Sequence, residues 1–473
     1  MSPLTSSSPV PAARPRRLGA ILALMAFAVL ILGIDVYIVV VALPEIGREL
    51  GFSDQTLQSV ISSYAVTFGG FLLFGGRASD LLGRRRMFVL GMALFGLASL
   101  TGGLAGSPEQ LIVARAVQGI GGALLFPSTL ALIGTLFAEG AERNRALSVW
   151  SGAGAGGLVL GSLLGGVLTH AFGWEAIFLV NVPLAALALL LAFPLIPADG
   201  ARERGRTFDL PGALAATTGT MLLVFGLIQA PEAGWGAPHI VASLLAGAAL
   251  LAGFFAIERR GRDPLIPLRL LANRNLATGA TVGFMQLATF GSILYFLTLY
   301  FQDEHGYDAL ETGLAFLLPT AFILLGSGSG GRLATRFGLR ATLAVSLAVA
   351  TVGAVAIALT MSADASYAAL IPGLILLSIG DGVVYTAMFI AAGTGVAERD
   401  QGVASGIAST GTQVGSVVGL AVLVAVANSG GLRTGTLVAA AGIALTILVA
   451  LNLRAARSGG SEPAPVPGYA GAA

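Results

Sequence analysis

Long apolar stretches separated by short polar segments fill the chain from residue 19 to residue 453. Each stretch has about 20 residues, the length of helix that crosses a bilayer core about 30 Å thick. Helices satisfy their own backbone polar groups in lipid, so the pattern predicts an all-α membrane protein with fourteen transmembrane helices. The predicted spans are 19–43, 57–76, 87–105, 110–134, 147–168, 176–197, 210–230, 238–257, 276–300, 311–330, 340–361, 367–396, 402–427 and 435–453.

Composition agrees with a chain that uses lipid as its solvent. Of the 473 residues, 55% are apolar and 11% are charged, whereas a soluble chain has about 25% charged residues. Mean hydropathy is +0.86. These values exclude a soluble globular protein, a disordered chain and a nucleic-acid binder. Cysteine is absent, which excludes disulfides and thiolate metal sites.

Arginine placement predicts the orientation of the chain, because cytoplasmic loops of membrane proteins are enriched in basic residues. All 26 basic residues are arginine. If the N-terminus lies inside and the spans alternate, 23 arginines fall in inside segments. Only Arg48 and Arg433 fall outside, and Arg115 lies within a span. This asymmetry predicts an even number of spans, with both termini in the cytoplasm.

Two related turns indicate an internal repeat. The turn after span 2 reads G-R-A-S-D-L-L-G-R-R-R over residues 76–86, and the turn after span 10 reads G-R-L-A-T-R-F-G-L-R over residues 331–340. Both fall between the second and third helix of a six-helix set, which predicts a parallel repeat with spans 7 and 8 inserted. Asp80 is expected to bond to arginines of the next helix and to close the inner face. The predicted cytoplasmic gate comprises Gly76, Asp80, Gly83, Arg84 and Arg85.

The repeat predicts the domain organisation. Residues 19–197 form an N-terminal six-helix bundle, and residues 198–257 hold the inserted helices 7 and 8. Residues 258–453 form a C-terminal six-helix bundle with a preceding cytoplasmic loop. The polar, low-complexity ends, 1–18 and 454–473, are predicted to be disordered.

The first of the two turns resembles the G-x-x-x-D-x-x-G-R-[KR] signature of the major facilitator superfamily. The 6+2+6 arrangement is similar to that of the fourteen-span drug:proton antiporters of this superfamily. Further resemblances lie in Asp35 with Val41–Pro44, in R-x-x-Q-G-x-G over Arg115–Gly121, in W-x-x-x-F-x-x-N-x-P over Trp174–Pro183, in Asp209–Gly212 and in Asp263–Pro267. The resemblance implies the major facilitator fold in a bacterial cell membrane, and a monomer without cofactor, metal or enzymatic activity.

Three positions depart from the family pattern. In span 5 the antiporter motif G-P-x-x-G-G reads Gly161-Ser162-Leu163-Leu164-Gly165-Gly166, so Ser162 replaces the proline whose bend is associated with antiport. Thr335 stands in the second turn where an acid is possible, and Asp381 in span 12 is not required by the pattern. Gly157, Gly161, Gly165 and Gly166 are expected to let helices pack closely and slide where the halves of a rocking transporter meet.

Two ionisable residues inside spans are candidates for proton coupling, since such groups are costly in lipid. At 1.5 Å per residue, Asp35 lies roughly 12 Å and Arg115 roughly 8 Å from the outer ends of their spans. We therefore predict that they interact, directly or through Gln118 or water. The proton affinity of such a carboxyl group depends on water and on the nearby arginine. Asp35 is predicted to bind a proton outside and release it inside; the alternative is a permanent ion pair that locks spans 1 and 4.

Asp381 lies roughly 20 Å deep, near the midplane, where such transporters bind their substrates. Three interpretations stay open. The carboxylate selects cationic substrates, or it is a second proton site, or it is a protonated acid bonded to a neighbour such as Thr386. The other predicted substrate contacts are amides and aromatic rings of the central cavity, namely Gln118, Gln286, Gln413, Tyr64 and Tyr385.

The sequence contains no nucleotide-binding P-loop, so an ion gradient is the expected energy source. The family resemblance implies protons, while the residue spacing alone leaves sodium open. The predicted function is a proton-coupled antiporter that exports lipophilic, cationic drugs or antibiotics by alternating access. The partners are then a small-molecule substrate, the proton and the lipid bilayer. The alternatives are a carrier that exports or takes up one endogenous metabolite, and a non-transporting membrane scaffold or receptor.

Overall fold

A computed structural model describes residues 17–200, 209–259, 266–307, 309–362 and 365–453. Every regular element in these ranges is a helix. The predicted disordered ends lie outside the described residues, apart from residues 17 and 18, and so does the side chain of Ser162.

The helices follow one another with short connections. The first eight are α1 (Leu18–Leu50), α2 (Asp54–Leu57), α3 (Ser59–Leu82), α4 (Arg84–Gly103), α5 (Pro108–Leu136), α6 (Ala141–Phe172), α7 (Glu175–Leu179) and α8 (Asn181–Leu195). The next five are α9 (Leu210–Ala233), α10 (Pro238–Glu258), α11 (Leu268–Leu271), α12 (Arg274–Leu299) and α13 (Ala309–Ala315). The last four are α14 (Leu317–Phe337), α15 (Leu339–Thr360), α16 (Tyr367–Gly393) and α17 (Gln401–Ala450). A π-helical turn, Tyr300–Glu304, extends α12, and a 3₁₀ turn, Glu398–Asp400, precedes α17.

Among the described residues, twelve helices are long and apolar enough to cross a membrane. The long helix α6 is not one of these twelve, although it includes a shorter apolar stretch, Leu163–Phe172, among the described residues. Helix α17 counts once, although Gly431 interrupts it with a φ of 82°. The structure thus agrees with an all-helical membrane protein.

The helices pack as two groups. In the first, α1 packs on α6, α3 on α5, and α4 on α5 and α8. In the second, α12 packs on α17, and α16 packs on α14 and α15. The groups meet where α6 contacts α14 and where α3 contacts α17. Helix α9 pairs with α10 and also contacts both α3 and α17, so it lies against the seam between the groups.

A ladder of glycines joins α6 to α1 inside the first group. A Cβ atom added at three of these glycines would collide with the α1 backbone, whereas at Gly166 it would meet open space. The colliding pairs are Gly157 with the Leu30 carbonyl, Gly161 with the Ile34 carbonyl and Gly165 with the Ile38 carbonyl. The expectation that these glycines lie between the two halves is therefore wrong for Gly157, Gly161 and Gly165, which face α1. Sequence spacing identifies a close-packing face but not the helix that covers it.

The second group repeats this ladder. In α17 a Cβ atom would collide with the α12 backbone at Gly415, which meets the Phe284 carbonyl, and at Gly419, which meets the Ala288 carbonyl. At Gly411 it would be in tight contact with the Ala280 carbonyl, 3.1 Å away. Both ladders have glycines four residues apart on one helix, facing carbonyls four residues apart on the other. The register relates α1 to α12 and α6 to α17, as a parallel repeat requires. Elsewhere in α17, Gly402 and Gly406 meet α3 across the two groups.

Neighbouring glycines of α6 allow a matched test of the ladder. We expect Gly165→Leu to destabilise the protein, because the new side chain must displace the backbone at Ile38. Overpacking costs about 1–3 kcal/mol. Gly166→Leu is expected to be neutral or slightly stabilising, because the site is open and leucine favours helix by about 0.8 kcal/mol over glycine. Thermal unfolding of the two purified variants compares them; equal melting temperatures would contradict the ladder.

Candidate functional site

A buried ion pair connects α1 and α5. Arg115 Nη1 donates to Asp35 Oδ2 at 2.7 Å, and Arg115 Nε donates to the Val60 carbonyl at 3.1 Å. Asp35 is 0% exposed and Arg115 is 2% exposed. The predicted contact between Asp35 and Arg115 is therefore present and direct. Each of the two charges needs the other in this position, because an isolated charge buried away from water is very costly in free energy.

Amide side chains complete the coordination of the Asp35 carboxylate. Its Oδ1 atom accepts from Gln118 Nε2 at 2.7 Å and from Asn181 Nδ2 at 3.0 Å. Gln118 Oε1 accepts from Arg115 Nη1 at 2.6 Å, and Gln118 Nε2 also donates to Ser99 Oγ at 2.8 Å. Gln118 is thus a member of this network, buried inside the first group of helices.

Tyr64 covers the ion pair. The Arg115 guanidinium lies 4.4 Å from the centre of the Tyr64 ring, a cation–π distance, and 5.9 Å from that of Phe178. Tyr64 stacks in turn on Phe68 with ring centres 5.6 Å apart. At 6% exposure Tyr64 shields the guanidinium from water.

Sequence reasoning did not select two members of this network, Asn181 and Ser99. Asn181 carried a signal, because it is an amide within an apolar span and belongs to the W-x-x-x-F-x-x-N-x-P run. Ser99 carried none, since a single serine is common in membrane helices.

Asp381 lies inside the second group. Its Oδ1 atom accepts from Gln286 Nε2 of α12 at 2.7 Å, and both residues are 6% exposed. The pair borders a small cavity that α15 and α17 also line, for example with Leu347 and Thr446. Thr386 donates instead to the Ser327 carbonyl at 2.9 Å. The neighbour that holds Asp381 is therefore Gln286, and the suggested bond to Thr386 is absent.

An aromatic cluster bridges the two groups. Tyr385 of α16 stacks on Trp150 of α6, with ring centres 6.5 Å apart and planes 7° apart. Phe126 and Phe389 pack edge-on against Trp150 at 5.0 Å and 5.3 Å. Trp150 is fully buried and was not among the predicted site residues, although it is one of only three tryptophans in the chain.

Gln413 also lies where the groups meet. A Cβ atom at Gly69 of α3 would lie 3.7 Å from Gln413 Cβ of α17. Of the predicted substrate contacts, Tyr385 and Gln413 therefore lie at the junction of the groups. Gln118 and Tyr64 belong to the first group, and Gln286 and Asp381 to the second.

Asp80 forms a latch between the groups. Its carboxylate accepts from the backbone N–H groups of Gly402 at 3.0 Å and Val403 at 2.8 Å, in the first turn of α17. Those N–H groups have no partner inside their own helix, and the helix N-terminus attracts negative charge. Arg84 lies 3.7 Å from Asp80 and donates to the Glu398 carbonyl across the groups. The predicted bond from Asp80 to an arginine exists, but α17 supplies the closer partners.

The other gate residues have distinct places. Gly76 packs against the backbone at Gly402, where a Cβ atom would collide. Gly83 has a φ of 108°, which favours glycine, and lets α4 start directly after α3. Arg85 donates to the Phe193 carbonyl at 2.8 Å and thus holds α4 to α8 within the first group.

The second turn contacts α6 with neutral groups. Asn144 Nδ2 donates to Thr335 Oγ1 at 3.0 Å, and the Gly331 N–H donates to Ser148 Oγ at 2.7 Å. Both of these contacts and the Asp80 latch lie at the end of the molecule that holds Arg84, Arg143 and Arg336, which we call the arginine-rich end.

The latch predicts a shift between conformations in Asp80→Asn. Removing a charge from a partly buried helix N-terminus costs about 1–2 kcal/mol, which changes a two-state ratio about 5–30-fold. We expect the arginine-rich end to open more often. Because the chain lacks cysteine, spin labels at Ala141→Cys and Ala397→Cys, both exposed, report this distance without background.

Asp199→Asn is the matched control for the latch. Asp199 accepts from the N–H groups of Arg85 and Arg86, both at 3.0 Å, and so caps α4 inside the first group. Removing the Asp199 charge weakens the same kind of carboxylate bond to a helix N-terminus, and it leaves the contact between the two groups of helices intact. An equal change of the label distance in both variants would contradict the latch.

Two groups of helices related by a repeat, a buried ion pair in one group and a latch between the groups define a membrane transport protein. The chain belongs to the Major Facilitator Superfamily, which it matches over residues 25–420 and again over residues 279–469. It is a membrane-spanning carrier, not an enzyme.

Relatives in this superfamily are named for export and resistance. The chain is 39% identical to the cephamycin export protein of Amycolatopsis lactamdurans, over 84% of this chain and 82% of that protein. It is 39% identical to the puromycin resistance protein of Streptomyces alboniger, over 86% of this chain and 81% of that protein. Among solved structures, the human organic anion transporter MFSD10 shares the fold, with a TM-score of 0.72 and 17% identity over 91% of this chain and 99% of that chain.

Proposed function

We propose that the chain is a proton-coupled antiporter that exports lipophilic, cationic drugs or antibiotics across a bacterial cell membrane. The observation that carries the proposal is the Asp35–Arg115 pair, buried in a carrier whose relatives are named as antibiotic export and resistance proteins. An ionisable pair inside a membrane helix bundle is costly and is found where protons or substrates pass.

We also propose fourteen spans with both termini in the cytoplasm, as in the fourteen-span drug:proton antiporters. Two additions to the twelve apolar helices support this number. Helix α6 packs along α1. With 32 residues, α6 is long enough to cross a bilayer. Gly431 divides α17 into two segments that each have the length of a crossing. The arginine-rich end then faces the cytoplasm.

In this arrangement the two halves are closed against each other at the cytoplasmic end. The Asp80 latch and the Asn144–Thr335 contact hold the two halves together at the arginine-rich end. Alternating access requires these contacts to break while the opposite ends of the halves approach each other. We propose a substrate site at the junction of the halves, with Tyr385 and Gln413 as its contacts and the buried Trp150 stacked behind Tyr385.

Asp35 couples this movement to protons. In the conformation described, the Asp35 carboxylate accepts hydrogen bonds from Arg115, Gln118 and Asn181 and has no exposed surface. Protonation from outside removes its charge and weakens its hold on Arg115, which frees the α1–α5 contact to rearrange. After the halves rock, water from the cytoplasm takes the proton, and the restored charge recaptures Arg115. Substrate moves outward in the opposite phase.

Sealed vesicles containing the purified monomer test the proposal. We expect puromycin or the cationic dye ethidium to drive proton movement in the opposite direction, with sodium absent. Transport of a single endogenous metabolite, with neither probe accepted, would favour the dedicated carrier. Transport that requires sodium would remove the proton from the mechanism. Binding without any flux would favour a scaffold or receptor.

A further inference from the structure

We propose that Asp381 and Gln286 form a second proton-binding site, in the C-terminal half, which takes up and releases one proton in each transport cycle. The inference rests on the proposed function for its role in the cycle. It assigns a function to a buried pair that the coupling by Asp35 does not use.

The two intramembrane acids differ in their partners. Asp35 is held by a guanidinium and two amides, whereas the partner of Asp381 is the amide of Gln286, 2.7 Å away. Among the described residues that line the adjoining cavity there is no arginine. A carboxylate buried without a cation is very costly, and taking up a proton removes that cost. The surroundings of Asp381 therefore suit a neutral acid while the site is closed to water.

Gln286 offers the bond that such an acid needs. Its Nε2 atom donates to Asp381 Oδ1, while its buried Oε1 atom has no hydrogen-bond partner among the described residues. Buried polar atoms are nearly always bonded, so a free acceptor here calls for a donor. Proton uptake by Asp381 creates an O–H group beside this acceptor. No other reactant is required: the proton comes from water on one side and returns to water on the other.

The position of the pair in the repeat connects it to the transport cycle. The glycine ladders align Ile34 of α1 with Phe284 of α12. Asp35 is the next residue after Ile34, and Gln286 is the second after Phe284. Asp381 lies on α16, the fourth long helix of its half, as Arg115 lies on α5 of the other half. Each half thus has an acid between its first and fourth long helices, so both sites feel the same rocking movement.

Few other polar groups face Asp381. Tyr385, one turn along α16, is its titratable neighbour. From α12 and α17 the cavity receives the hydroxyl groups of Thr289 and Thr446, and from α15 the apolar side chains of Leu347 and Ala350. Titration at this site is therefore assigned to the carboxyl group of Asp381.

Infrared spectroscopy tests proton binding without any need for transport. A protonated carboxyl group has a C=O stretch that a carboxylate lacks. We expect purified wild-type protein and Asp35→Asn to show this band at neutral pH, and Asp381→Asn to lack it. Gln286→Leu should shift the band, because it removes the hydrogen bond. Asp303→Asn, an exposed carboxyl group, is the control and should leave it unchanged. A band that survives in Asp381→Asn would overturn the site.

Vesicle measurements then separate a carrier from a static acid. We expect the number of protons exchanged per ethidium to fall from two in wild-type protein to one in Asp381→Asn. An unchanged ratio, with the band lost, would overturn the cyclic role. If wild-type protein exchanges no protons although the band behaves as expected, the proposed antiport fails while proton binding by Asp381 stands.

Discussion

Asp35→Asn is expected to abolish proton-driven export and to leave the amount of folded protein in the membrane normal. Asparagine has the shape of aspartate and keeps acceptor and donor groups beside Gln118 and Asn181. It carries no charge that a proton can cancel, so the cycle loses its driving step. Uphill efflux of ethidium from cells, and proton movement in vesicles, should fall to the level of protein-free controls. Downhill exchange of substrate should persist.

Glu45→Gln on the same helix is the control for this change. Glu45 lies near the outer end of α1, away from the buried network, and is half-buried. It should keep full transport, because the field at Arg115 is unaltered. Uphill export by Asp35→Asn at the wild-type rate would show that the ion pair only locks the two helices together.

Arg115→Gln is expected to give the largest loss of stability among the changes considered. Removing one partner of a buried ion pair costs about 3–5 kcal/mol, because the other charge remains buried without compensation. Asp35→Asn costs less, because Arg115 keeps its bonds to the Val60 carbonyl and to Gln118 and its contact with the Tyr64 ring. Arg115 also donates to the Val60 carbonyl and packs on Tyr64, and both contacts disappear. Thermal unfolding in detergent should show a strongly lowered melting temperature, and transport should be lost.

The double variant Asp35→Asn with Arg115→Gln separates structure from coupling. With both charges removed, the buried amides bond to each other, and we expect most of the lost stability to return. Uphill transport should stay absent, since neither the proton site nor its counter-charge remains. Recovery of transport together with stability would assign the pair a purely structural role.

The sequence was sufficient to find the ion pair and insufficient to find its surroundings. Asp35 and Arg115 stand out because ionisable residues within apolar runs are rare, and the depth estimate placed them at similar levels. Their amide partner Asn181 comes from α8, and only packing reveals that α8 reaches this point. Similarly, Asp381 was visible as an intramembrane acid, but its enclosure within one half was not.

Residue spacing also predicted that a close helix contact would form, but it did not predict which helix would be on the other side of that contact. A glycine every four residues indicates a face that another backbone approaches. It does not indicate which backbone, and α6 turned out to meet α1 within its own half. The gate turn shows the same limit. Asp80 and Arg84 were expected to bond to each other, but the first turn of α17, more than 300 residues away, supplies the closer donors.

The glycine ladders have a mechanical consequence for each half. Their contacts are made by main-chain atoms, which have no rotamers to exchange, and such close approach leaves no room for lipid or water. We therefore expect α1 with α6, and α12 with α17, to move as rigid helix pairs. Bending energy has to be taken up elsewhere, in the turns and in the helix ends at the latch. A displacement at one end of such a pair is then accompanied by a displacement at the other end.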